Sequence, residues 1–342
     1  MKLGMMVGYS GGQMSINTDM VLEAERLGYD SVWTAEAYGS DAATPLAYIA
    51  AITERIKLGT AIFQMPARTP AMTAMTAMTI DGLSNGRFIL GLGPSGPQVV
   101  EGWHGVPYGR PLTRTKEYIQ IVRNILSREG PLEHRGFHYE IPFLGEGSTG
   151  LGKPLKSILR GRADIPIFTA SIGPKGILCS GEVADGLLPV WMDPQKMNLI
   201  EPYIDEGFAL RSDGKARESF RVAPFVTCIL GDDLENCRTP IKGMLSLYIG
   251  GMGARGKNFY NDYARRMGYD AEADEIQDLY LAGDKIGAAK KVPDSLVDEV
   301  ALVGSSDRIR DQVDRWRVKG ISELLITANN KSALRVLAES VL

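Results

Sequence analysis

The feature that most constrains the fold of this 342-residue chain is a regular alternation of short apolar runs with helix-like segments. The apolar runs hold few charged side chains, which is typical of parallel strands that are covered by helices on both faces. Helix-like segments of about ten to fifteen residues separate many of them, as in βαβ units. The sequence therefore predicts an α/β protein with a parallel sheet.

Eight such runs can be counted, which favours a closed (β/α)8 barrel, or TIM barrel, over an open sheet. They occupy residues 2–8, 30–36, 56–65, 86–93, 163–170, 185–191, 220–230 and 322–327. Barrels of this kind commonly form one domain at this length, so we expect a single domain over residues 1–342. Residues 129–162 and 231–302 break the alternation, and we predict insertions there, after strands 4 and 7, that shape a substrate pocket.

Three early helices can be placed from caps and spacing. We predict one over residues 18–27 that ends at Gly28, and a second over residues 45–55 with Pro45 at its first position. The third carries the tract AMTAMTAMT, which puts its methionines on one stripe of a helix, and such a stripe usually packs against neighbouring elements. The tract HRGFHYE at residues 134–140 resembles a hairpin.

Composition excludes several classes of protein. The net charge is −3 and no basic tract occurs, which argues against nucleic acid as a partner. The apolar runs are far shorter than the roughly 20 residues of a membrane span, and the N-terminus reads as a strand, so we expect a cytoplasmic protein. The three cysteines and three histidines are scattered, and we expect neither a disulfide framework nor a metal site.

The segment GLGPSG at residues 91–96 matches GxGxxG directly after a strand. A dinucleotide-binding fold requires a helix at once and an acidic residue after the next strand. Pro97, Gly102 and Gly105 are expected to interrupt any early helix, and the first helix with clear caps is predicted near Leu112. We therefore favour a glycine-lined strand end, where a planar ring can approach the backbone.

Two further strand ends could carry chemistry. Residues 169–176 combine small residues with Gly-Pro at a helix start, an arrangement that can hold a phosphate on backbone N–H groups, with Lys175 adding a charge. A plain βα turn explains the same residues equally well. Glu36 ends the second strand, where a carboxylate points into the barrel mouth, although it could instead pair with an arginine.

At these residues the sequence resembles the luciferase-like monooxygenase superfamily, and within it the coenzyme F420-dependent oxidoreductases. The resemblance covers nearly the whole chain, is weakest across residues 231–302, and rests on the blocks RIKLGTAIFQMPARTPAMTA, IDGLSNGRFILGLG, RPLTRTKEYIQIVRNIL and GPKGILCSGEVADGLLP. It implies a barrel with an F420 or FMN ring at its C-terminal mouth. It also implies hydride transfer between the deazaflavin C5 and a small organic substrate, either a carbonyl or alcohol or an activated alkene.

The resemblance also implies a set of cofactor-binding residues. A non-proline cis peptide at Ala61–Ile62 would lie behind the ring, Gly91 and Gly93 would border the ring, and the phosphate would lie on the backbone of residues 171–173. The full expected set is Thr60, Ala61, Ile62, Gly91, Gly93, Ser171, Ile172, Gly173 and Lys175. This chain has Ala37 and Gly96-Pro97 where sugar-phosphate dehydrogenases of the family have His and Glu, which puts sugar-phosphate oxidation in doubt.

The expected catalytic residues are Glu36 and His104, of which one handles the proton that accompanies the hydride. Glu36 is preferred because a strand end holds it rigidly, whereas His104 and Asp41 lie on loops and Tyr38 exchanges a proton less readily. Two other functions stay open: an FMN-dependent monooxygenase that uses reduced flavin and O2, and a flavin-binding protein without turnover. The family resemblance predicts a homodimer. A largely apolar substrate pocket is suggested by Trp103, Trp191, Met192 and the stretch 248–263.

Overall fold

Short parallel strands close into a barrel in the computed structural model, which describes residues 1–8, 10 and 12–342. All eight predicted runs contain strands. The strands are β1 (Lys2–Gly8), β2 (Ser31–Thr34), β3 (Lys57–Thr60), β4 (Phe63–Gln64), β5 (Phe88–Gly93), β6 (His134–Arg135), β7 (Glu140–Ile141), β8 (Ile167–Thr169), β9 (Gly186–Leu187), β10 (Arg221–Val222), β11 (Phe225–Leu230), β12 (Ala301–Gly304) and β13 (Glu323–Ala328).

Hydrogen bonding joins these strands in a ring. From β1 it runs through β2, β3, β5, β8 and β9 to β10, and in the other direction from β1 through β13 to β11. β10 and β11 belong to one run of chain, and Val222 of β10 bridges Ile321 just before β13, which closes the sheet. The predicted (β/α)8 barrel is therefore confirmed.

Helices surround the barrel. They are α1 (Thr18–Leu27), α2 (Ala43–Ile52), α3 (Pro70–Leu83), α4 (Pro97–Gly102), α5 (Pro111–Ser127), α6 (Pro174–Val183), α7 (Glu201–Ala209), α8 (Leu234–Ser246), α9 (Phe259–Arg266), α10 (Asp270–Leu281), α11 (Lys285–Lys290), α12 (Asp294–Val300), α13 (Ser306–Asp314) and α14 (Lys331–Val341). α1 has the predicted bounds, and Gly28 caps it with a φ of 90°, a conformation that glycine adopts without strain.

Several local predictions were wrong. α2 begins two residues before Pro45, because Asp41 accepts the N–H groups of Ala43 and Thr44 and so starts the helix earlier. A short helix, α4, does follow the GLGPSG segment, because Pro97 suits the first turn of a helix. β12 lies at the end of the second insertion and was not predicted as a strand; it pairs with β11 alone.

The methionine stripe of α3 also differs from its predicted packing role. Met78 is buried, but Met72 and Met75 are 51% and 54% exposed. Packing therefore explains only one of the three methionines.

The barrel interior is filled by side chains. Trp33 and Phe168 lie 5.9 Å apart there, centroid to centroid, within an apolar cluster that includes Ile89, Leu188 and Leu325. The ring of Trp33 occupies the space in which a β-carbon at residue 59 would lie, so the chain needs glycine there. Because the interior is packed, a ligand site must lie on the rim, at the carboxyl ends of the strands.

Both predicted insertions lie between strand ends. The first contains the β6–β7 hairpin, which confirms the hairpin prediction. The second contains α8 to α12 and forms an apolar cluster of its own with Trp191. No helix in the described part of the chain is long and apolar enough to cross a membrane.

Candidate functional site

The third barrel strand is interrupted between β3 and β4 by a cis peptide bond at Ala61–Ile62, as predicted. At the interruption, Thr60 Oγ1 accepts the N–H of Gly91 at 2.8 Å and donates to the Gly91 carbonyl at 2.8 Å. The Thr60 side chain therefore makes the hydrogen bonds that backbone groups would make between two regular parallel strands.

Gly91 and Gly93 fit this interrupted strand. A β-carbon on Gly91 would lie 1.8 Å from the carbonyl oxygen of Thr60, and one on Gly93 would lie 2.8 Å from the Ile62 side chain. Both distances are far below van der Waals contact. The two glycines are thus required by the packing of the chain against itself, in addition to any role beside a ligand.

Glu36 lies just beyond β2 and its carboxylate is fully engaged. It accepts the backbone N–H groups of Ala42 at 3.1 Å and Gln64 at 2.9 Å. It also forms an ion pair with Arg68, at 2.7 Å, and the two side chains are only 7% and 17% exposed. The alternative interpretation of Glu36, pairing with an arginine, therefore describes its geometry.

Gln64 links Glu36 to His104, so the two catalytic candidates belong to one hydrogen-bond chain. The Gln64 side chain donates through Nε2 to the carbonyl of Ala37 at 2.6 Å, which fixes the orientation of its amide. Its Oε1 then faces His104 Nε2 at 3.0 Å. Because an amide oxygen can only accept, His104 Nε2 carries the hydrogen. In the neutral ring Nδ1 is therefore the basic nitrogen.

The other residues considered at the mouth are placed differently. Asp41 accepts backbone N–H groups at the start of α2, which is a structural role. Tyr38 and Trp103 are each 65% exposed, so neither lines an enclosed pocket.

The predicted phosphate cradle, residues 169–176, runs from the last residue of β8 into the first turn of α6. α6 has no side-chain cap, and its first residue is Pro174. Within the described residues, no acceptor is found for the backbone N–H groups of Ser171, Ile172, Gly173, Lys175 and Gly176. Free N–H groups at the start of a helix form an anion-binding arrangement.

The inner side of this cradle is closed. The Ser171 side chain fills the space in which a β-carbon of Gly176 would lie. Beneath it lies a cavity of about 30 Å³, which Met65, Leu92 and Ser171 help to line. That volume holds about one water molecule. An anion can therefore approach the cradle only from the solvent side. Because Met65 and Leu92 line the same cavity as Ser171, the cradle lies next to the ends of β4 and β5.

Arg266 on α9 reaches the cradle from the second insertion. Its Nη2 donates to the carbonyl of Ile172 at 2.8 Å, and the guanidinium lies 5.2 Å from the centre of the Tyr263 ring. Its Nη1 is buried without a partner among the described residues. A buried cationic nitrogen without an acceptor is costly, so it is suited to receive an anion.

An aromatic cluster of Trp191, Tyr248 and Tyr260 lies beside the end of β9. The Trp191 ring lies 4.5 Å from Tyr248 and 5.4 Å from Tyr260, and the two tyrosines are 4.8 Å apart. Burial raises the pKa of the Tyr260 hydroxyl well above its usual range, so it stays protonated. Of the apolar residues expected at the barrel mouth, Trp191, Tyr248 and Tyr260 come together here, whereas Met192 packs in the main core and Trp103 is exposed.

Sequence reasoning missed Gln64, Arg68 and Arg266. Gln64 ends the interrupted third barrel strand and Arg68 follows it, and the polar residue at the strand end was the available signal. Arg266 is 94 positions from its contact at Ile172, and no local pattern indicates that contact.

Comparison with known proteins gives a consistent result. The luciferase-like monooxygenase family matches residues 2–323. A Mycobacterium tuberculosis protein, provisionally named a coenzyme F420-dependent oxidoreductase, is 46% identical over 100% of this chain and 99% of its own length.

Solved structures share the fold at low identity. The coenzyme F420-dependent tetrahydromethanopterin reductase from Methanopyrus kandleri aligns with a TM-score of 0.80 and 21% identity, covering 99% of this chain and 98% of its own. An F420-dependent secondary alcohol dehydrogenase aligns with a TM-score of 0.75 and 17% identity, with the same coverages of 99% and 98%. An FMN-containing type II Baeyer-Villiger monooxygenase from Pseudomonas putida aligns with a TM-score of 0.65 and 18% identity, covering 100% of this chain and 97% of its own.

Proposed function

This chain belongs to the luciferase-like monooxygenase family, and on that premise we propose that it is a coenzyme F420-dependent oxidoreductase. The observation that carries the proposal is the 46% identity, along the whole chain, to a relative with that name. The reaction is hydride transfer between the deazaflavin C5 and a small organic substrate, a carbonyl or alcohol or an activated alkene. Coenzyme F420 supplies or takes up the hydride when it is bound.

The residues of the cradle suit a phosphate-bearing cofactor. Ser171, Ile172 and Gly173 offer backbone N–H groups without partners among the described residues, and Lys175 follows in the first turn of α6. The unpartnered Nη1 of Arg266 adds a cation at the same loop. These groups would hold the cofactor phosphate, while Thr60, Ala61, Ile62, Gly91 and Gly93 would border its ring.

His104 is the group that we assign to proton handling. Oxidation of an alcohol releases the hydroxyl proton as the hydride departs, and reduction of a carbonyl requires the reverse. Gln64 holds Nε2 of His104 as a donor and leaves Nδ1 available to take or give that proton. Glu36 acts as a positioning residue. Its ion pair with Arg68 and its hydrogen bond from the Gln64 backbone hold Gln64 in place, and Gln64 in turn orients His104.

A fluorescence titration tests the cofactor assignment. The protein, free of cofactor, should quench F420 fluorescence with an affinity at least tenfold better, about 1.4 kcal/mol, than its affinity for FMN. Tighter binding of FMN would favour the FMN-dependent monooxygenase while leaving the fold unchanged. A further outcome is that the protein binds F420 tightly while no carbonyl, alcohol or enone changes the redox state of the cofactor. That result would identify a binding protein without turnover.

A further inference from the structure

One side chain of the second insertion reaches the predicted phosphate cradle. Arg266 ends α9, and its Nη2 donates to the carbonyl of Ile172 at 2.8 Å. Nη1 shares a carbon with Nη2, so it lies at the cradle as well, and it is buried without a partner among the described residues. The neighbouring Arg265 pairs with Asp274, whereas no ion pair of Arg266 is found in the part of the chain that the structure describes. A buried cationic nitrogen needs an anion, and those residues supply none.

The helix that Arg266 ends also carries part of the aromatic cluster. Tyr260 lies in the first turn of α9, and its ring is 5.4 Å from Trp191 and 4.8 Å from Tyr248. The guanidinium of Arg266 lies 5.2 Å from the centre of the buried ring of Tyr263, on the same helix. Because a helix moves largely as a rigid element, the position of Arg266 affects the position of Tyr260.

Asn258 joins another ring of the cluster to α9. This residue is buried, and its Oδ1 accepts the N–H groups of Tyr260, at 2.9 Å, and Asn261, at 3.2 Å. Its Nδ2 donates to the carbonyl of Tyr248 at 2.9 Å. Tyr248 itself lies in a π-helical turn, Leu247–Gly251, a feature that is frequent at functional sites. The two tyrosines of the cluster and α9 therefore form one hydrogen-bonded unit.

The aromatic cluster lies between the cradle and the loop that carries His104. On one side, Ile172 of the cradle packs with the cluster in the apolar core of the second insertion. On the other side, the loop that follows α4 brings Tyr108 close to Tyr260. The pKa of Tyr260 is raised by burial and then by the neighbouring hydroxyls of Tyr248 and Tyr108. A substrate held between the cofactor and His104 would therefore have the cluster as one wall of its site.

An anion in the cradle would change how α9 is held. The backbone N–H groups of the cradle and Nη1 of Arg266 have no acceptor among the described residues, and they lie at the same loop. One anion can accept hydrogen bonds from both, and hydrogen bonds between ionised groups are the stronger kind. The anion would thus add a second contact between the barrel and α9 to the existing hydrogen bond at Ile172.

We propose that Arg266 is a positioning residue that couples the two ligands of the active site. The cofactor anion, held by the cradle and by Arg266, fixes α9 and the aromatic cluster, which then form one wall of the substrate site. Cofactor binding therefore strengthens substrate binding, and by linkage the substrate strengthens cofactor binding by the same factor. Aromatic rings suit a planar, uncharged carbonyl compound. The identity of the two ligands rests on the proposed function, whereas the link between an anion and α9 rests on the contacts of Arg266.

Amide hydrogen–deuterium exchange tests the link without turnover. The full chain, Arg266→Gln and Lys257→Gln are each compared free and saturated with F420. Lys257→Gln is the matched control, because it removes one exposed cation of the same insertion. We expect F420 to slow exchange at least fivefold in residues 247–266 of the unaltered chain and of the control, and to have no such effect in Arg266→Gln. Arg266→Lys, which keeps the cation, should recover part of the slowing.

Two outcomes of the exchange experiment would overturn the proposal. One is equal exchange of residues 247–266 in Arg266→Gln and the unaltered chain when both are saturated with F420. The other is faster exchange of these residues in cofactor-free Arg266→Gln, because the arginine would then hold α9 without any anion. If F420 does not bind, FMN takes its place in the same experiment. Slowing by FMN that requires Arg266 would support the link and refute the F420 assignment.

Kinetics with reduced F420 and 2-cyclohexenone, a planar uncharged enone, test the substrate wall. At saturating F420, Arg266→Gln should raise the KM for cyclohexenone at least fivefold and change kcat little, while Lys257→Gln should match the unaltered chain. An unchanged KM would refute the coupling and leave the oxidoreductase assignment intact. Exchange slowed through Arg266 in a protein that turns over no carbonyl, alcohol or enone would support the link to α9 and refute the proposed reaction.

Discussion

Glu36 and His104 belong to one hydrogen-bond chain, but their surroundings suit them to different roles. The Glu36 carboxylate receives four N–H donors, one each from the Ala42 and Gln64 backbones and two from Arg68, and is almost completely buried. Both of its oxygens already accept hydrogen bonds from the protein, so the carboxylate is placed to hold its neighbours and not to meet a substrate. His104 keeps one ring nitrogen uncommitted among the described residues, and only such a nitrogen can exchange protons with a substrate.

Replacement of His104 by glutamine tests this division. The glutamine amide can still donate to Gln64 but cannot take up a proton, so turnover should fall about 10²–10⁴-fold. Affinity for F420 should change little. His138→Gln is the matched control, because its Nε2 contacts only the carbonyl of Arg110, at 3.0 Å on the surface. Its turnover should remain normal.

The companion variant is Glu36→Gln. It leaves the largely buried Arg68 without its counter-charge, so we expect a loss of stability of about 3 kcal/mol, measured by denaturant unfolding, and a weakened hold on Gln64. If Glu36→Gln instead loses a hundredfold in turnover at normal stability while His104→Gln stays active, the proton role returns to Glu36. That result would restore the first preference drawn from the sequence.

At this scale the sequence allowed only part of the site to be predicted. A carboxylate at a strand end can be recognised in any barrel, so Glu36 was found. Its partner Arg68 lies 32 positions away, and the contact depends on how the third strand is interrupted. Periodicity describes which face of an element a residue occupies, and says nothing of which distant side chain meets it.

At the scale of elements, the apolar runs located all eight barrel strands because a strand covered on both faces must be apolar almost throughout. The same criterion fails for β12. That strand has four residues and one strand neighbour, and it follows α12 without an intervening turn signal, so it resembles the end of a helical stretch. Helix starts were less certain, since α2 begins where Asp41 supplies acceptors and not at the proline.

The geometry of the phosphate cradle before α6 leads to a prediction about cofactor affinity. A β-carbon on Gly173 would meet nothing within 4 Å, and its φ of −88° suits any residue. Gly173→Leu should therefore fold normally while its side chain obstructs the free N–H groups. We expect F420 affinity to fall at least tenfold, measured by fluorescence quenching.

Gly130→Leu is the control for that measurement. Its β-carbon also meets nothing within 4 Å, and it lies in the first insertion, away from α6. It should bind F420 as the unaltered chain does. Equal affinity in Gly173→Leu would mean that the cofactor phosphate lies elsewhere.

For the whole molecule, the homodimer remains a prediction, and the outer face of α2 and α3 gives it a location. Tyr48, Met72 and Met75 are each more than half exposed on these two neighbouring helices. Exposed large apolar side chains that adjoin one another mark interaction surfaces. Light scattering should give twice the chain mass of 37.2 kDa.

Charge placed on this face should separate the subunits. Met72→Lys/Met75→Lys is expected to halve the measured mass, whereas Leu281→Lys, an exposed substitution on α10 in the second insertion, should not. A monomer in the unaltered protein at micromolar concentration would refute the dimer. A dimer that survives the double substitution would place the interface on another face.

The strands β1 and β13 lie far apart in the sequence but are neighbours in the barrel. The first strand meets the last one through the N–H of Lys2 and the carbonyl of Ser322, and Glu23 of α1 binds Arg335 of α14. A ribosome makes β1 first and β13 some three hundred residues later, so a growing chain cannot close the barrel before β13 has been made. The contacts that join β1 to β13 and α1 to α14 therefore form only after all the other barrel strands have been made.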